Sequence, residues 1–449
     1  MKPAPPLSTY RLVHLGCAKN QVDSEVMAGL LQAAGLRPAA RARDAELIVV
    51  NTCSFLDAAR RESLGVIVEE AAYKASGRCR VLAVTGCLPQ MFGRDLAREL
   101  PEVDLFLGTG EFHQLADRVA DLARGKLPRG RRVLVARPRY LYDADTPRAA
   151  SLGSAYVKIA DGCSNHCAYC VIGRLRGPHR SRKPDDVAAE VARLNRGARE
   201  ICLVAQDTTR YGQDLAPRTD LPGLVRRVAA VAKDAWVRLL YLHPARVSDE
   251  LLTVMAETPS VCRYVDIPVQ HASDRVLALM NRPTRRADLE ALVRRIRDRL
   301  PGAAIRTSLI VGHPGEGRRE FNELLAFVRA MEFEHLGAFV YSPEEGTRSA
   351  GRADRVTART AASRRDEVLE AQAVISQRKN EARIGRVLKV LVERASERFP
   401  GHFEARTEFQ APEGDGITLV QGKGLAAGAF ARARIDEATC YDLAGTAVE

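Results

Sequence analysis

Hydrophobic and polar positions along the first third of the chain fall into segments of two kinds that follow one another in turn. Arg11–Gly16 is apolar and β-branched, as a strand requires, and Asp23–Ser24–Glu25 opens an amphipathic stretch to Ala34 that predicts a helix. Ala45–Thr52 (AELIVVNT) is a continuous apolar run, the pattern of a parallel strand buried on both faces. A helix is expected from about Leu56 to Ala75, then strands at Arg80–Gly86 and Val103–Gly108. Strands alternating with helices predict an open α/β sheet.

From Gly125 to Ser151 the chain is rich in Arg and Pro and has no clear period, which predicts a linker. Beyond it, strand-like segments recur at Ala155–Ala160, Glu200–Ala205, Trp236–Leu242, Arg263–Ile267, Ala304–Val311 and His335–Tyr341. Helical stretches such as Pro184–Asn195 and Arg285–Leu300 separate them. Six such units predict an incomplete parallel (βα)6 barrel with its active site at the strand C-termini. An arginine-rich helix, Thr357 to Arg383, follows. The pattern then changes to short alternating strands at Val387–Glu393, Phe403–Thr407, Ile417–Val420 and Ala429–Ile435, punctuated by glycines and Pro412. That predicts a small antiparallel β-barrel. The expected fold class is α/β, with an open α/β domain over 8–125, a linker over 126–150, the incomplete barrel over 151–383 and the small barrel over 384–449.

A chain of 449 residues has room for these pieces as separate cores. The net charge of +12 favours anionic partners such as nucleic acid or a ribonucleoprotein surface. The arginines are spread along most helices, however, so a solvated surface accounts for the charge better. Aromatic platforms for single-stranded RNA are sparse in the small barrel, where Phe403, Phe409, Phe430 and Tyr441 stand. Met1 to Pro6 lacks the basic start and apolar run of a signal peptide, and no stretch is long and apolar enough to span a membrane. A soluble, cytoplasmic protein is expected. Ten cysteines in that reducing compartment point to reactive or metal-bound thiolates rather than disulfides.

Cys17, Cys53 and Cys87 each stand just past an apolar strand, in VHLGC, IVVNTC and AVTGC. Parallel strands put their carboxyl ends on one sheet edge, where α/β folds bind ligands. Thiols far apart in sequence would therefore converge. Three unrelated buried cysteines are the plain alternative. A three-thiolate site with an open position would suit an iron–sulfur cluster, and a catalytic zinc site stays open as well. A tighter group lies in Asp161-Gly-Cys163-Ser-Asn-His-Cys167-Ala-Tyr-Cys170. Its Cys-x3-Cys-x2-Cys spacing packs three thiolates into one loop, and a four-iron cluster so held leaves one iron without a protein ligand, the position that binds S-adenosylmethionine (SAM) in radical SAM enzymes. A zinc knuckle completed by His166 is the competing reading, although a His between two ligands of so short a loop is poorly placed.

Polar residues gather after the barrel strands: Gln206 and Asp207, His243, Gln270 and His271, then Gly312, Gly315 and Glu316. Each could merely cap a helix or close a turn. Together they predict a working rim. Cys202 and Cys262 read as core residues, and Cys79 and Cys440 have no matched partner.

With these residues in hand, nearly the whole chain resembles the radical SAM methylthiotransferases. That family joins a methylthiotransferase domain, a radical SAM barrel and a C-terminal TRAM barrel. The resemblance implies two four-iron clusters, an auxiliary one on Cys17, Cys53 and Cys87 and a SAM-binding one on Cys163, Cys167 and Cys170. It implies no catalytic residue beyond these ligands. Tyr169 matches a position that packs near the adenine of SAM, and Gly312-His-Pro-Gly315-Glu316 resembles the motif beside adenine and ribose. Gln206, Asp207, Gln270 and His271 would line the SAM or substrate rim.

LGCAKNQVDSE, NTCSFLDAARRESL, VAQDTTRYGQD and YVDIPVQHAS resemble the RimO-like branch, which modifies the β-carbon of an aspartate in small-subunit ribosomal protein twelve. The MiaB-like branch, which modifies isopentenyladenosine in transfer RNA, typically has GQNV where Ala205-Gln206-Asp207-Thr208 stands here. The chain departs from the family pattern at His313, where Phe is commoner, and at Val171-Ile172-Gly173-Arg174, where a Pro is usual. SAM would serve both as methyl donor and as radical source. Partners implied are the ribosomal protein, free or in the small subunit, a ribosomal RNA contact and an unidentified reductant protein, with no membrane. A non-catalytic electron carrier or oxidant sensor is the alternative from another class, although such proteins usually ligate every iron.

Overall fold

The computed structural model describes residues 6–127, 132–150 and 153–448. All of Met1–Pro6 except Pro6 lies outside the described residues, as do positions 128–131 of the expected linker. The chain divides into two compact units. The first comprises Met1–Ala150, Ala160–Asn165 and Val171–Arg182; the second comprises Ser151–Ile159, His166–Cys170 and Lys183–Glu449.

In the first unit β1 (Thr9–His14), β2 (Arg37–Pro38), β3 (Leu47–Thr52), β4 (Val81–Gly86), β5 (Leu105–Leu107) and β6 (Val133–Leu134) form one parallel sheet in the order β2-β1-β3-β4-β5-β6. Every residue of β3 and β4 is buried, as their unbroken apolar runs require. Ile48, Val50, Leu82, Val84 and Phe106 pack with Ile67, Leu88 and Leu96 from the helices Asp57–Ala71 and Cys87–Glu99. Burying each aliphatic side chain of this kind contributes roughly 1.5–3 kcal/mol.

Two expectations change here. The first helix spans Ala18–Ala33 and starts before Asp23, with Cys17 as its extended N-cap residue. Its polar opening looks solvent-facing in sequence, yet Asn20, Asp23 and Ser24 are buried by partners from distant segments, among them Asn51 Nδ2, which donates to Ser24 Oγ at 2.7 Å. Residues 132–150 are also more than a linker. β6 extends the sheet through Phe106↔Val133, Arg148 Nε donates to Glu25 at 2.8 Å, and buried Tyr142 lies under the Arg182 guanidinium at 4.2 Å. Such an irregular segment, held by single anchors, has no period to read. Ala160–Asp161 (β8) and Arg180–Ser181 (β9) form a short antiparallel pair in the same unit.

The second unit contains β7 (Gly153–Lys158), β10 (Ala198–Val204), β11 (Trp236–Leu239), β12 (Tyr264–Asp266), β13 (Ala304–Val311) and β14 (His335–Val340). They form two parallel sheets, β11-β10-β7 and β12-β13-β14, joined by a parallel bridge between Val237 and Val261. Leu242 N also donates to Asp266 O at 2.9 Å, so the six strands follow one arc. The helix Ala358–Glu381 closes on β14, where Gln372 and Ser376 donate to the carbonyls of Phe333 and Glu334 at 2.7 and 3.0 Å.

The C-terminal strands β15 (Val387–Ala395), β16 (His402–Thr407), β17 (Thr418–Gln421), β18 (Phe430–Ala438) and β19 (Leu443–Val448) close into a barrel in the order β15-β16-β17-β19-β18. Four strands and wholly antiparallel pairing were the expectation. The fifth strand, LAGTAV, is too rich in small residues to alternate, and it pairs parallel with β17. This barrel docks on the N-terminal ends of the larger barrel's strands. Fully buried Glu200 accepts from Arg238 Nε at 2.7 Å, Arg406 Nη2 at 2.5 Å and Ser154 Oγ at 2.8 Å. Arg306 joins Asp415 at 3.1 Å, and Tyr264 donates to the same carboxylate. No helix of the described residues is long and apolar enough to cross a membrane.

Candidate functional site

The edge at the carboxyl ends of β1, β3 and β4 carries Cys17, Cys53 and Cys87. The registers His14↔Asn51 and Thr52↔Gly86 bring those strand ends side by side. Gly16 has φ +103°, and a Cβ there would stand 3.2 Å from Cys53 Sγ; Gly86 has φ +98°, and its Cβ would stand 2.5 Å from Asn51 Oδ1. Both turns need glycine to let the thiol-bearing loops close up. Side chains then stitch them. Asn20 Nδ2 donates to Leu15 O at 2.7 Å and to Thr52 O at 3.3 Å, while Ser63 Oγ donates to Cys53 O at 2.9 Å and accepts from Cys53 N at 3.2 Å. Cys17 is exposed, Cys53 half-buried and Cys87 buried.

Arg176 enters this edge from the helix Ile172–Arg176 of the same unit. Its guanidinium donates to Asp23 at 2.7 Å, Asp161 at 3.3 Å and Asn20 Oδ1 at 3.2 Å, and it is 2% exposed. Burial opposes its charge, but Asp23, Asp161, Cys87 and Cys17 hold it firmly protonated. The thiols feel one another. Burial pushes Cys87 up to about 12, with Cys53 and Cys17 adding to the rise and a hydrogen bond from Arg176 opposing it. Burial likewise raises Cys53, whereas for Cys17 the charges of Lys19 and Arg176 outweigh burial and pull it down.

Thiols on one sheet edge, with backbone N–H groups and the Arg176 guanidinium favouring their charged form, are the donors that a soft metal group takes, and binding would displace their protons. Among the described residues, no three His, Cys, Asp or Glu side chains are placed so as to hold one metal ion between them. A structural zinc site would draw its four ligands into one tetrahedron. All ten cysteines are unbridged.

The second thiol group lies in the loop after β8. Cys163, in the first unit, donates its N–H to Gly177 O at 3.0 Å, and the preceding Gly162 has φ +82° in a turn where a Cβ would stand 2.0 Å from Pro178 O. Cys167 and Cys170, in the second unit, share a turn in which Cys170 N donates to Cys167 O at 3.2 Å. That turn is pinned at Ala168, whose N–H donates to Met280 O and whose carbonyl accepts from Ser349 N, both at 2.9 Å. His166 is exposed, with φ +53°, and gives its carbonyl to Asn281 at 2.9 Å and Arg348 at 3.1 Å. Arg282 Nη1 lies 3.9 Å from Cys167 Sγ. The Tyr169 phenol is kept neutral by burial and by the adjoining Cys167 and Cys170 thiols.

The rim residues fall into two groups. Buried Asp207 caps the turn after β10, accepting from Thr209 N at 3.1 Å, and pairs with Arg246. His243 meets Arg282 Nη1 through Nε2 at 2.9 Å; burial, then the positive charges of Arg282 and Arg246, lower it to about 3. Farther along the arc, Gln270 (φ +72°) bridges to β13, and His271 Nε2 faces Glu316 at 3.5 Å. The Glu316 carboxylate accepts from Gly312 N at 2.8 Å and from Arg364 of the closing helix at 2.7 Å, which fixes the Gly312–Glu316 turn. A Cβ at Gly312 would stand 2.4 Å from Ala361 Cβ, and one at Gly315 2.6 Å from Leu279 Cδ1. His313 is buried, which lowers it to about 4, and its Nε2 contacts Ser349 Oγ at 2.8 Å. Gln206 lies two residues past the end of β10 and is half-buried.

Comparison with known proteins matches the uncharacterized protein family UPF0004 over residues 9–108, the radical SAM superfamily over 157–328 and the TRAM domain over 384–448. The protein called ribosomal protein uS12 methylthiotransferase RimO in Syntrophus aciditrophicus is 45% identical over 441 residues, 97% of each chain. Its counterpart in Desulforudis audaxviator is 46% identical over 442 residues, 97% of this chain and 96% of the relative. The chain belongs to the RimO family. It is a radical SAM methylthiotransferase. Among solved structures, the radical SAM methyltransferase TsrM from Kitasatospora setae shares the fold, at 16% identity and TM-score 0.58 over 77% of this chain and 74% of that one.

Sequence reasoning missed Arg176 and Arg282 in this RimO-family chain. Among 68 lysines and arginines no single guanidinium stands out, and it is burial beside a candidate ligand thiol that distinguishes these two. Cys202 and Cys262 are core residues, 0% and 1% exposed.

Proposed function

We propose that this RimO-family enzyme places a methylthio group on the β-carbon of an aspartate in small-subunit ribosomal protein twelve, using two four-iron clusters. Cys163, Cys167 and Cys170 are assigned to the cluster that binds SAM, and Cys17, Cys53 and Cys87 to the auxiliary cluster. The convergence of Cys17, Cys53 and Cys87 on one sheet edge is the observation that carries the two-site reading. The names of the relatives support the substrate. When bound and reduced, the first cluster and SAM supply a 5′-deoxyadenosyl radical, able to take hydrogen from a carbon that no acid or base could deprotonate, and the auxiliary cluster supplies the methylthio group.

The protein's own residues orient and enclose. Tyr169, Gly312, Gly315 and Glu316 are assigned to SAM, with Glu316 holding its turn through Gly312 N and Arg364. Gln206, Asp207, Gln270 and His271 are assigned to the SAM or substrate rim. The domain limits 8–125, 151–383 and 384–449 belong to the same reading.

The test is turnover by anaerobically reconstituted enzyme with SAM, reductant and sulfide. A peptide carrying the ribosomal protein's target loop competes with an isopentenylated tRNA anticodon stem, and products are read by mass spectrometry. A methylthio mass gain on the peptide alone is expected. A gain on the RNA alone would overturn the substrate.

A further inference from the structure

Each thiol group has one buried arginine beside it, and the two arginines are paired differently. Arg176 faces two carboxylates, Asp23 and Asp161. Arg282, 8% exposed, has neutral partners: His243 Nε2 at 2.9 Å and Pro268 O at 2.8 Å. Its Nε is buried with no hydrogen-bond partner among the described residues, and its Nη1 is directed at Cys167 Sγ. A buried guanidinium without a carboxylate carries a large desolvation cost, which only an anionic neighbour offsets. The anion within reach is the Cys167 thiolate and whatever that sulfur binds.

We infer that Arg282 is a positioning residue whose uncompensated charge stabilises the reduced state of the iron–sulfur cluster at Cys163, Cys167 and Cys170. The inference rests on the assignment of those cysteines as ligands. Three thiolates leave such a site with net negative charge, and adding an electron increases it. A fixed cation beside one ligand sulfur therefore favours reduction, and hydrogen bonding and charge near the sulfurs are recognised determinants of cluster potential. His243 supports the arrangement by remaining neutral, so that it holds the guanidinium in place without cancelling its charge. The auxiliary thiols have a different setting, because Arg176 is paired with two carboxylates.

The experiment is an EPR-monitored redox titration of reconstituted, full-length enzyme with dithionite, following one-electron reduction of each cluster. Arg282→Gln should shift the reduction equilibrium at the SAM-binding cluster at least tenfold against the reduced form, ~59 mV for one electron. The auxiliary signal should not move, and Arg282→Lys should keep most of the wild-type potential. His243→Asp is the second variant: it keeps Arg282 but gives it a carboxylate, and it should lower the potential in the same direction. An iron-loaded Arg282→Gln variant with the wild-type potential would overturn the inference. So would an unshifted His243→Asp variant, which decides the matter if Arg282→Gln fails to load iron. The ligand assignment is checked separately with Cys167→Ala. If that variant keeps both cluster signals, the assignment fails, whatever Arg282 does.

Discussion

Cys17, Cys53 and Cys87 are separated by two complete strand–helix passages, whereas Cys163, Cys167 and Cys170 fit within one loop. The first group exists only because β1, β3 and β4 lie in parallel register, so its geometry depends on a whole sheet. The second is set by short-range turns and by backbone contacts such as Ala168 to Met280 and Ser349. The buried charges differ as well. Arg176 serves the spread group as a tie between Asn20, Asp23 and Asp161, while Arg282 stands beside Cys167 with neutral partners. One site is thus built as a piece of tertiary structure, the other as a loop with an added positive charge.

The largest effects should separate the two groups by product. Cys167→Ala is expected to abolish 5′-deoxyadenosine formation altogether. Cys53→Ala should leave it running and eliminate the methylthio product, both measured by liquid chromatography with mass spectrometry. Next, Arg176→Gln removes the cation between two buried carboxylates and should cost roughly 3–5 kcal/mol, read by urea unfolding. Iron should be lost from the spread group and retained in the loop group. Acid gives a lever on the second unit. Burial raises Glu200, but Arg406 and Arg238 outweigh it and bring it down to about 2. A carboxylate lowered on folding contributes stability above its unfolded value, and that stability disappears as pH falls toward the folded value. The second unit should therefore lose roughly 3 kcal/mol between about pH 4.5 and 2, followed by circular dichroism. Smallest, Ser63→Ala removes the two bonds that fix Cys53 and should cost about 1 kcal/mol, with slower iron uptake at the spread group alone.

The two groups were also legible to different degrees. Cys163, Cys167 and Cys170 announce themselves by spacing. Cys17, Cys53 and Cys87 could be matched because each follows an apolar run, and the existence of a buried strand is what such a run marks. What escaped was set by partners remote in sequence. The helix beginning at Ala18 hides behind Asn20, Asp23 and Ser24, polar residues buried by Asn51 and Arg176. Residues 132–150 pack through Tyr142 and Arg148, isolated anchors in an aperiodic stretch. β19 lacks alternation because glycine and alanine occupy its positions. The docking of the small barrel through Glu200, Arg238 and Arg406 joins residues that sequence reading treats as unrelated surface charges.

The central claim is that two separate sets of three thiols each hold a cluster. Iron content and the EPR spectrum of reconstituted enzyme test it, comparing wild type with the triple variant Cys17→Ala/Cys53→Ala/Cys87→Ala and with Cys163→Ala/Cys167→Ala/Cys170→Ala. The account predicts that each triple variant retains half the wild-type iron and a different one of the two reduced-cluster signals. Full iron retention in either variant would contradict it, as would loss of all iron from both.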